Sequence, residues 1–101
     1  MTTVKGHMCS VTFDGRMVII DKTMRGQTRI PLSGIQAISI DRAGLGMRAV
    51  RFSVAGGSAA HQQTAFGDRD VAQDPNAVIF RRAALPKFRA LVDEIEQARH
   101  S

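Results

Sequence analysis

The amino-acid sequence predicts a mainly β (α+β) fold, an antiparallel barrel or sandwich of about six to seven strands capped by one C-terminal α-helix. Three observations support this prediction. Short segments rich in β-branched residues alternate with turn residues between positions 4 and 81. The last part of the chain repeats apolar residues at helical spacing. The length of 101 residues fits one domain that covers positions 1–101.

The N-terminal third predicts three strands joined by tight turns. Residues 4–13 alternate between two faces, which predicts one continuous strand. It ends at Asp14-Gly15, a hairpin turn in which both positions favour positive φ. Residues 16–22 and 27–32 predict the second and third strands. Pro31 lacks a backbone N–H, so it indicates an edge strand or the end of a strand.

The middle of the chain predicts two further strands separated by a glycine-containing turn. In the fourth strand, residues 35–41, strict alternation places Ile38 and Ile40 on the face opposite Ile35 and Ala37. Residues 47–55 predict the fifth strand. Its inward-facing candidates are Val50, Phe52 and Val54.

The C-terminal half contains both the weakest and the clearest pattern. Within the weak segment 58–75 we expect only a short sixth strand, inside residues 62–66. Residues 76–81 predict the last strand. A helix is predicted over about residues 85–100, with Pro86 in its first turn, where the missing N–H costs nothing. Its core-facing stripe consists of Leu85, Phe88, Leu91, Val92 and Ile95.

The sequence contains no set of residues that supports catalysis. None of its three histidines stands at metal-ligand spacing to another histidine or to the single cysteine, Cys9, so no metal, cofactor or catalytic residue is expected. Cys9 lies in an alternating apolar segment and is expected to pack as a core thiol. No segment has the length of a membrane span, about 20 residues, or the pattern of a signal peptide. We therefore expect a soluble, cytoplasmic protein that is not an enzyme.

Charge is distributed unevenly along the chain, whose net charge is +5 and whose pI is about 10.7. Residues 1–52 carry eight basic and three acidic side chains, whereas residues 53–101 carry six of each. Two predicted turns of the N-terminal half are bracketed by basic residues, which can hold an anion or an acidic partner. These candidate binding residues are Lys22, Arg25, Arg29, Arg42 and Arg48.

Several short motifs resemble a known family. They are Val11-Thr12-Phe13-Asp14-Gly15, then Ile30-Pro31-Leu32 with Ile35, then Val50-Arg51-Phe52 before Gly56-Gly57, and finally residues 74–80 with Phe88 and Ile95. In this order the chain resembles domain of unknown function 4429, a pleckstrin-homology-like (PH-like) family. The resemblance implies a PH-like fold and an origin in an actinobacterium or one of its phages, and it implies no activity.

Two functional hypotheses follow. The first is a non-catalytic module for protein binding or self-association, because PH-like sheets leave an edge and a groove beside the helix where a partner segment can add as a strand. A chain with a single copy of the domain also favours self-association. The alternative is binding of a polyanion, either DNA or an acidic membrane, through the basic N-terminal half. The absence of Trp and Tyr argues against single-strand nucleic-acid binding, which needs exposed aromatic residues. No small-molecule substrate is expected.

Overall fold

The computed structural model describes residues 1–24, 26–54 and 76–101. Within these ranges the chain forms seven β-strands, one α-helix and two short 3-10 turns. The strands are β1 (Thr2–Gly6), β2 (Cys9–Phe13), β3 (Met17–Lys22), β4 (Gly26–Pro31), β5 (Ile35–Arg42), β6 (Met47–Val54) and β7 (Ala77–Arg81); the helix is α1 (Leu85–Arg99). The strand expected within 62–66 and the candidate residue Arg25 lie outside the described residues.

The strands form two antiparallel sheets, with the spatial orders β1-β2-β3-β4 and β5-β6-β7. One face of each sheet contributes to the main apolar core, and α1 covers that core. A smaller buried cluster of Ala43, Ala49 and Ala77 lies apart from it. This arrangement confirms the predicted mainly β fold, a small sandwich capped by a helix. Val50 and Phe52 are buried and Val54 is partly buried against the core, as the alternation of β6 predicted.

The helix confirms the most distinct sequence pattern. Pro86 lies in its first turn, and the apolar stripe buries Phe88, Leu91 and Ile95. The ring of Phe88 stacks on that of Phe80 in β7, with 4.0 Å between ring centroids and 14° between ring planes. Stacked rings at this separation attract each other beyond their burial. The stack therefore fixes the start of α1 against the second sheet.

The first predicted strand is wrong in one respect, because residues 4–13 form two strands rather than one. A two-residue turn at His7 and Met8 folds β1 back onto β2, and Met8 takes a φ of 55°. Gly6 permits the tight approach, since a Cβ there would lie 2.7 Å from the Ile79 carbonyl oxygen and 2.9 Å from Cys9 Sγ. The turn places Val4 opposite Val11, so both side chains face the core.

A tight turn forms where the sequence predicted one, but its two central residues are Gly15 and Arg16 rather than Asp14 and Gly15, because Asp14 N donates to the Met17 carbonyl oxygen across it. Gly15 takes a φ of 101°, and Asp14 is not among the residues with positive φ. Asp14 Oδ1 instead accepts hydrogen bonds from the backbone N–H groups of Arg16 and Met17, each at 2.8 Å. These bonds lower the pKa of the Asp14 carboxyl. The aspartate therefore stabilises this turn through its side chain.

Strict alternation along the fourth predicted strand is wrong because β5 contains a β-bulge. The register shifts between Ile35 and Ala37, so Gln36 is an extra residue relative to β6. A bulge reverses the alternation that follows it. Ile35 is consequently buried in the same core against which Ile38 and Ile40 pack. The Gln36 carbonyl oxygen accepts a hydrogen bond from Arg99 Nη2 at 2.7 Å, at the end of α1.

Candidate functional site

The outer edge of β1 offers backbone groups that the first sheet does not use. Gly6 faces Cys9 across the two-residue turn, so the N–H and C=O groups of Thr2, Val4 and Gly6 point toward β2. In an antiparallel pair the intervening residues, Thr3 and Lys5, point their backbone groups away. His7 continues this alternation, because its outward N–H donates to the Ile79 carbonyl oxygen at 2.8 Å. We call the outward side of Thr3 and Lys5 the β1 edge.

The bond between His7 and Ile79 links the two sheets at one end of β1. At the far end of β1, Thr2 Oγ1 donates to Glu94 Oε1 of the helix at 2.8 Å. Between these two contacts lies a groove of about 750 Å³, bounded by β1 on one side and by the start of α1 on the other. We call it the basic groove; among the residues that line it are Thr3, Lys5, His7, Arg81, Ala84 and Lys87.

Charge in the basic groove has one sign. Lys5, Arg81 and Lys87 are all exposed, and no acidic side chain occurs among the described residues that line the groove. The adjacent end of α1 has no acidic residue in its first turn and no side-chain cap. The positive end of the helix dipole therefore adds to the potential of these side chains. Chemically, the site combines free strand hydrogen-bonding groups with an excess of positive charge.

The predicted candidate residues lie elsewhere on the sheets. Arg42 and Arg48 face each other across β5 and β6, and Arg48 Nη1 donates to the Met47 carbonyl oxygen at 2.9 Å. Arg29 is exposed on β4, and its Nε donates to Gln27 Oε1 at 3.1 Å. Lys22 ends β3, opposite Cys9. No described member of the predicted set is among the residues that line the basic groove.

The two basic turns approach β7 from its opposite ends. Lys22 shares a small cleft with Ala77, the first residue of β7, whereas Arg48 is paired with Phe80. Because a strand rises about 3.3 Å per residue, positions 77 and 80 are about 10 Å apart, and the two turns contact β7 at different places. That the predicted set binds an anion stays a prediction.

Sequence reasoning missed the residues of the basic groove. Lys5 lies in the first strand, and Arg81 and Lys87 lie about 80 residues further along the chain. The packing of β1 beside β7 and α1 brings them together. The one local signal was the concentration of basic residues where the last strand passes into the helix.

Cys9 packs beside the groove as a half-buried thiol. Burial raises the pKa of this thiol, and Sγ donates to the Ile79 carbonyl oxygen at 3.4 Å. A thiol that stays protonated is a poor nucleophile and a poor metal ligand. In the described ranges, no group of three or more histidine, cysteine, aspartate or glutamate residues is placed to hold a metal ion. Among the helices of those same ranges, none is long and apolar enough to cross a membrane.

The fold defines a small class of protein, a two-sheet β-sandwich capped by a C-terminal helix. A family model described as Domain of unknown function (DUF4429) matches residues 11–96, which is most of the chain. The chain therefore belongs to this family, as the sequence motifs predicted. No curated protein matches the sequence. No solved structure matches it either.

Proposed function

We propose that this protein is a non-catalytic interaction module that binds an extended segment of a partner protein as an additional strand on the β1 edge. The observation that carries the proposal is the pair of outward-facing backbones at Thr3 and Lys5, which border the basic groove. An exposed strand edge forms main-chain hydrogen bonds with a partner, and an adjacent groove selects among side chains.

The other three described sheet edges are less suitable for strand addition. On β4, the Leu32 N–H donates to the Arg16 carbonyl oxygen, so the backbone groups of even-numbered residues point toward β3. The backbone groups of odd-numbered residues point outward, and one of these residues is Pro31, which has no N–H. On β7 the carbonyl oxygen of Ile79 is already bonded to His7. On β5 the bulge carbonyl of Gln36 is bonded to Arg99. These comparisons favour the β1 edge.

The proposal is tested by removing one outward N–H while the fold is retained. Thr3→Pro deletes that N–H and leaves the bonds between β1 and β2 in place, because the Thr3 backbone faces away from β2. Thr3→Val is the matched control: it also removes the hydroxyl contact with Thr12 and keeps the N–H.

The measurement is a selection of displayed random peptides of about twelve residues, long enough to span a strand. We expect the natural chain and Thr3→Val to enrich the same peptides and Thr3→Pro to bind them at least tenfold more weakly. Equal binding by all three proteins would reject strand addition at this edge.

The PH-like relationship also stays a prediction. What supports it is the order of seven strands followed by one helix in the described residues. It adds no activity to the proposal, because a shared fold does not define a function.

A second candidate function is binding to an acidic membrane, and one observation favours it. The turns that contain Met8 and Met24 lie side by side, joined by a bond from Thr23 N to the Met8 carbonyl oxygen at 3.0 Å. These methionines are 61% and 97% exposed, next to Lys22. Apolar tips beside basic residues suit the interface of an anionic bilayer.

Sedimentation with phosphatidylcholine vesicles, with and without phosphatidylserine, tests this candidate. Binding that requires phosphatidylserine and is lost in Met8→Ser/Met24→Ser would support it. Absence of binding to both kinds of vesicle would reject membrane binding. Salt-sensitive binding to duplex DNA alone would replace the membrane by nucleic acid as the polyanion.

A further inference from the structure

We infer that the β1 edge selects an acidic extended segment of another protein rather than a second copy of this chain. This inference rests on the proposed strand addition and specifies the chemistry of the partner. It is argued from the charges beside the edge and from the geometry of a strand placed there.

A strand that joins β1 lies about 4.8 Å from it, inside the basic groove. On the outer face of the sheet, its side chains approach Lys5 as cross-strand neighbours. The opposite face of β1 points to the helix, because the Cβ position of Gly6 is 3.4 Å from Phe88 Cζ. Side chains on that face of the added strand meet Ala84 and the stem of Lys87. An alternation of acidic and apolar residues therefore complements the site.

A second copy of the chain lacks this complementarity. Pairing two β1 edges would bring two basic grooves together, each with Lys5, Arg81 and Lys87 and no acid among the described lining residues. Like charges across a strand pair are destabilising, and lysine on an exposed edge is a common device against edge-to-edge self-pairing. An acidic partner is attracted to the same three charges. The rate at which it associates with the protein falls as the salt concentration rises.

The test uses the full chain, labelled with ¹⁵N, and three capped peptides of about eight residues, a usual strand length. The peptides alternate Val with Glu, Val with Gln, or Val with Lys. We expect the Val/Glu peptide to bind at least tenfold more tightly than the Val/Gln peptide, with the weakest binding for Val/Lys. Its binding should slow amide hydrogen exchange at Thr3 and Lys5, whose N–H groups gain a partner, more than at Val4.

A charge exchange separates selectivity from folding. Lys5→Glu/Lys87→Glu changes two exposed residues, and the new acid in the first helical turn favours the helix. We expect this double variant to stop binding the Val/Glu peptide and to bind the Val/Lys peptide. The matched control is Arg29→Glu/Arg89→Glu, which changes the net charge equally at exposed positions outside the groove. It should keep the preference of the natural chain.

The outcomes distinguish this inference from the strand-addition proposal. Equal protection of Thr3 and Lys5 by the Val/Glu and Val/Gln peptides would overturn acidic selectivity and keep strand addition. Tight binding of Val/Glu without protection at those amides would overturn strand addition. A dimer with protected Thr3 and Lys5 in the absence of peptide would replace the acidic partner with a second copy. Failure of all three peptides would overturn the inference, and the Thr3→Pro comparison would still decide strand addition.

Discussion

The β1 and β5 edges differ in how much of their backbone the rest of the molecule uses. β5 is interrupted by the bulge at Gln36, and Arg99 from the end of α1 bonds the bulge carbonyl. β1 keeps a regular register along its whole length, and within the described ranges the backbone bond to β7 comes from His7, in the turn that follows β1. A bulge with a side-chain contact makes an edge unsuitable for pairing, whereas a regular edge stays available.

The largest expected effect comes from Gly6→Ala, which disturbs the place where β1 meets β7. The added Cβ would lie 2.7 Å from the Ile79 carbonyl oxygen, so backbone must move. We expect the free energy of unfolding to fall by about 1–3 kcal/mol, as for other overpacked sites. The measurement is denaturant unfolding.

Gly34→Ala is the matched control for that substitution. Its Cβ would meet only the ring of Pro31, at 3.5 Å, which is ordinary contact. A change below about 0.5 kcal/mol is expected. Equal losses in the two variants would show that the approach of β1 to β7 is not what requires glycine at position 6.

The second largest expected effect comes from removing the contact between Arg99 and the β5 edge. Arg99→Met keeps an unbranched apolar stem and removes the bond to the Gln36 carbonyl oxygen from a side chain that is 15% exposed. A typical hydrogen bond contributes about 0.5–1.5 kcal/mol, and this one is exposed to solvent, so a loss in that range is expected in denaturant unfolding. Arg89→Met, on an exposed position of the same helix, should change stability by less than about 0.5 kcal/mol. An unchanged stability of Arg99→Met would contradict a structural role for this bond.

The smallest effect is a pH dependence of the contact between Arg99 and Glu96, which form an ion pair one helical turn apart. Burial raises the pKa of the Glu96 carboxyl, but the hydrogen bonds and charges of Arg99 and His100 outweigh it and hold the pKa below its ordinary value of 4.5. Because the folded-state pKa is the lower one, this contribution to stability is present above pH 4.5 and is lost as pH falls through the folded-state value.

The titration of Glu96 Cδ by ¹³C NMR measures this shift. We expect Arg99→Met to raise the pKa of Glu96 and Arg89→Met to leave it unchanged. A Glu96 pKa that is equal in all three proteins would show that Arg99 does not act on this carboxyl.

Local sequence signals predicted most of the elements, because each signal is a property of a few neighbouring residues. The stripe from Leu85 to Ile95 and the turn aspartate Asp14 needed no knowledge of the rest of the fold. The turn at His7 and Met8 was missed because neither residue is a usual turn former. The feature that marks this turn is Gly6, which must be glycine because it lies against Ile79, a residue remote in sequence.

The bulge and the basic groove were hidden for the same reason. Nothing in residues 35–41 distinguishes Gln36 as an extra residue, and its carbonyl partner Arg99 lies at the other end of the chain. Charge counting identified a basic N-terminal half, but the groove takes one cation from that half and two from the C-terminal part. Side-chain proximity of this kind depends on sheet pairing, which composition does not encode.

The contact between Arg99 and Gln36 also links the end of the helix to the edge of the second sheet. When the last turn of α1 frays, the bulge carbonyl on β5 loses its side-chain donor and water takes its place. The bulge itself remains, so a frayed helix end uncovers one acceptor on the β5 edge without creating a regular strand edge for pairing.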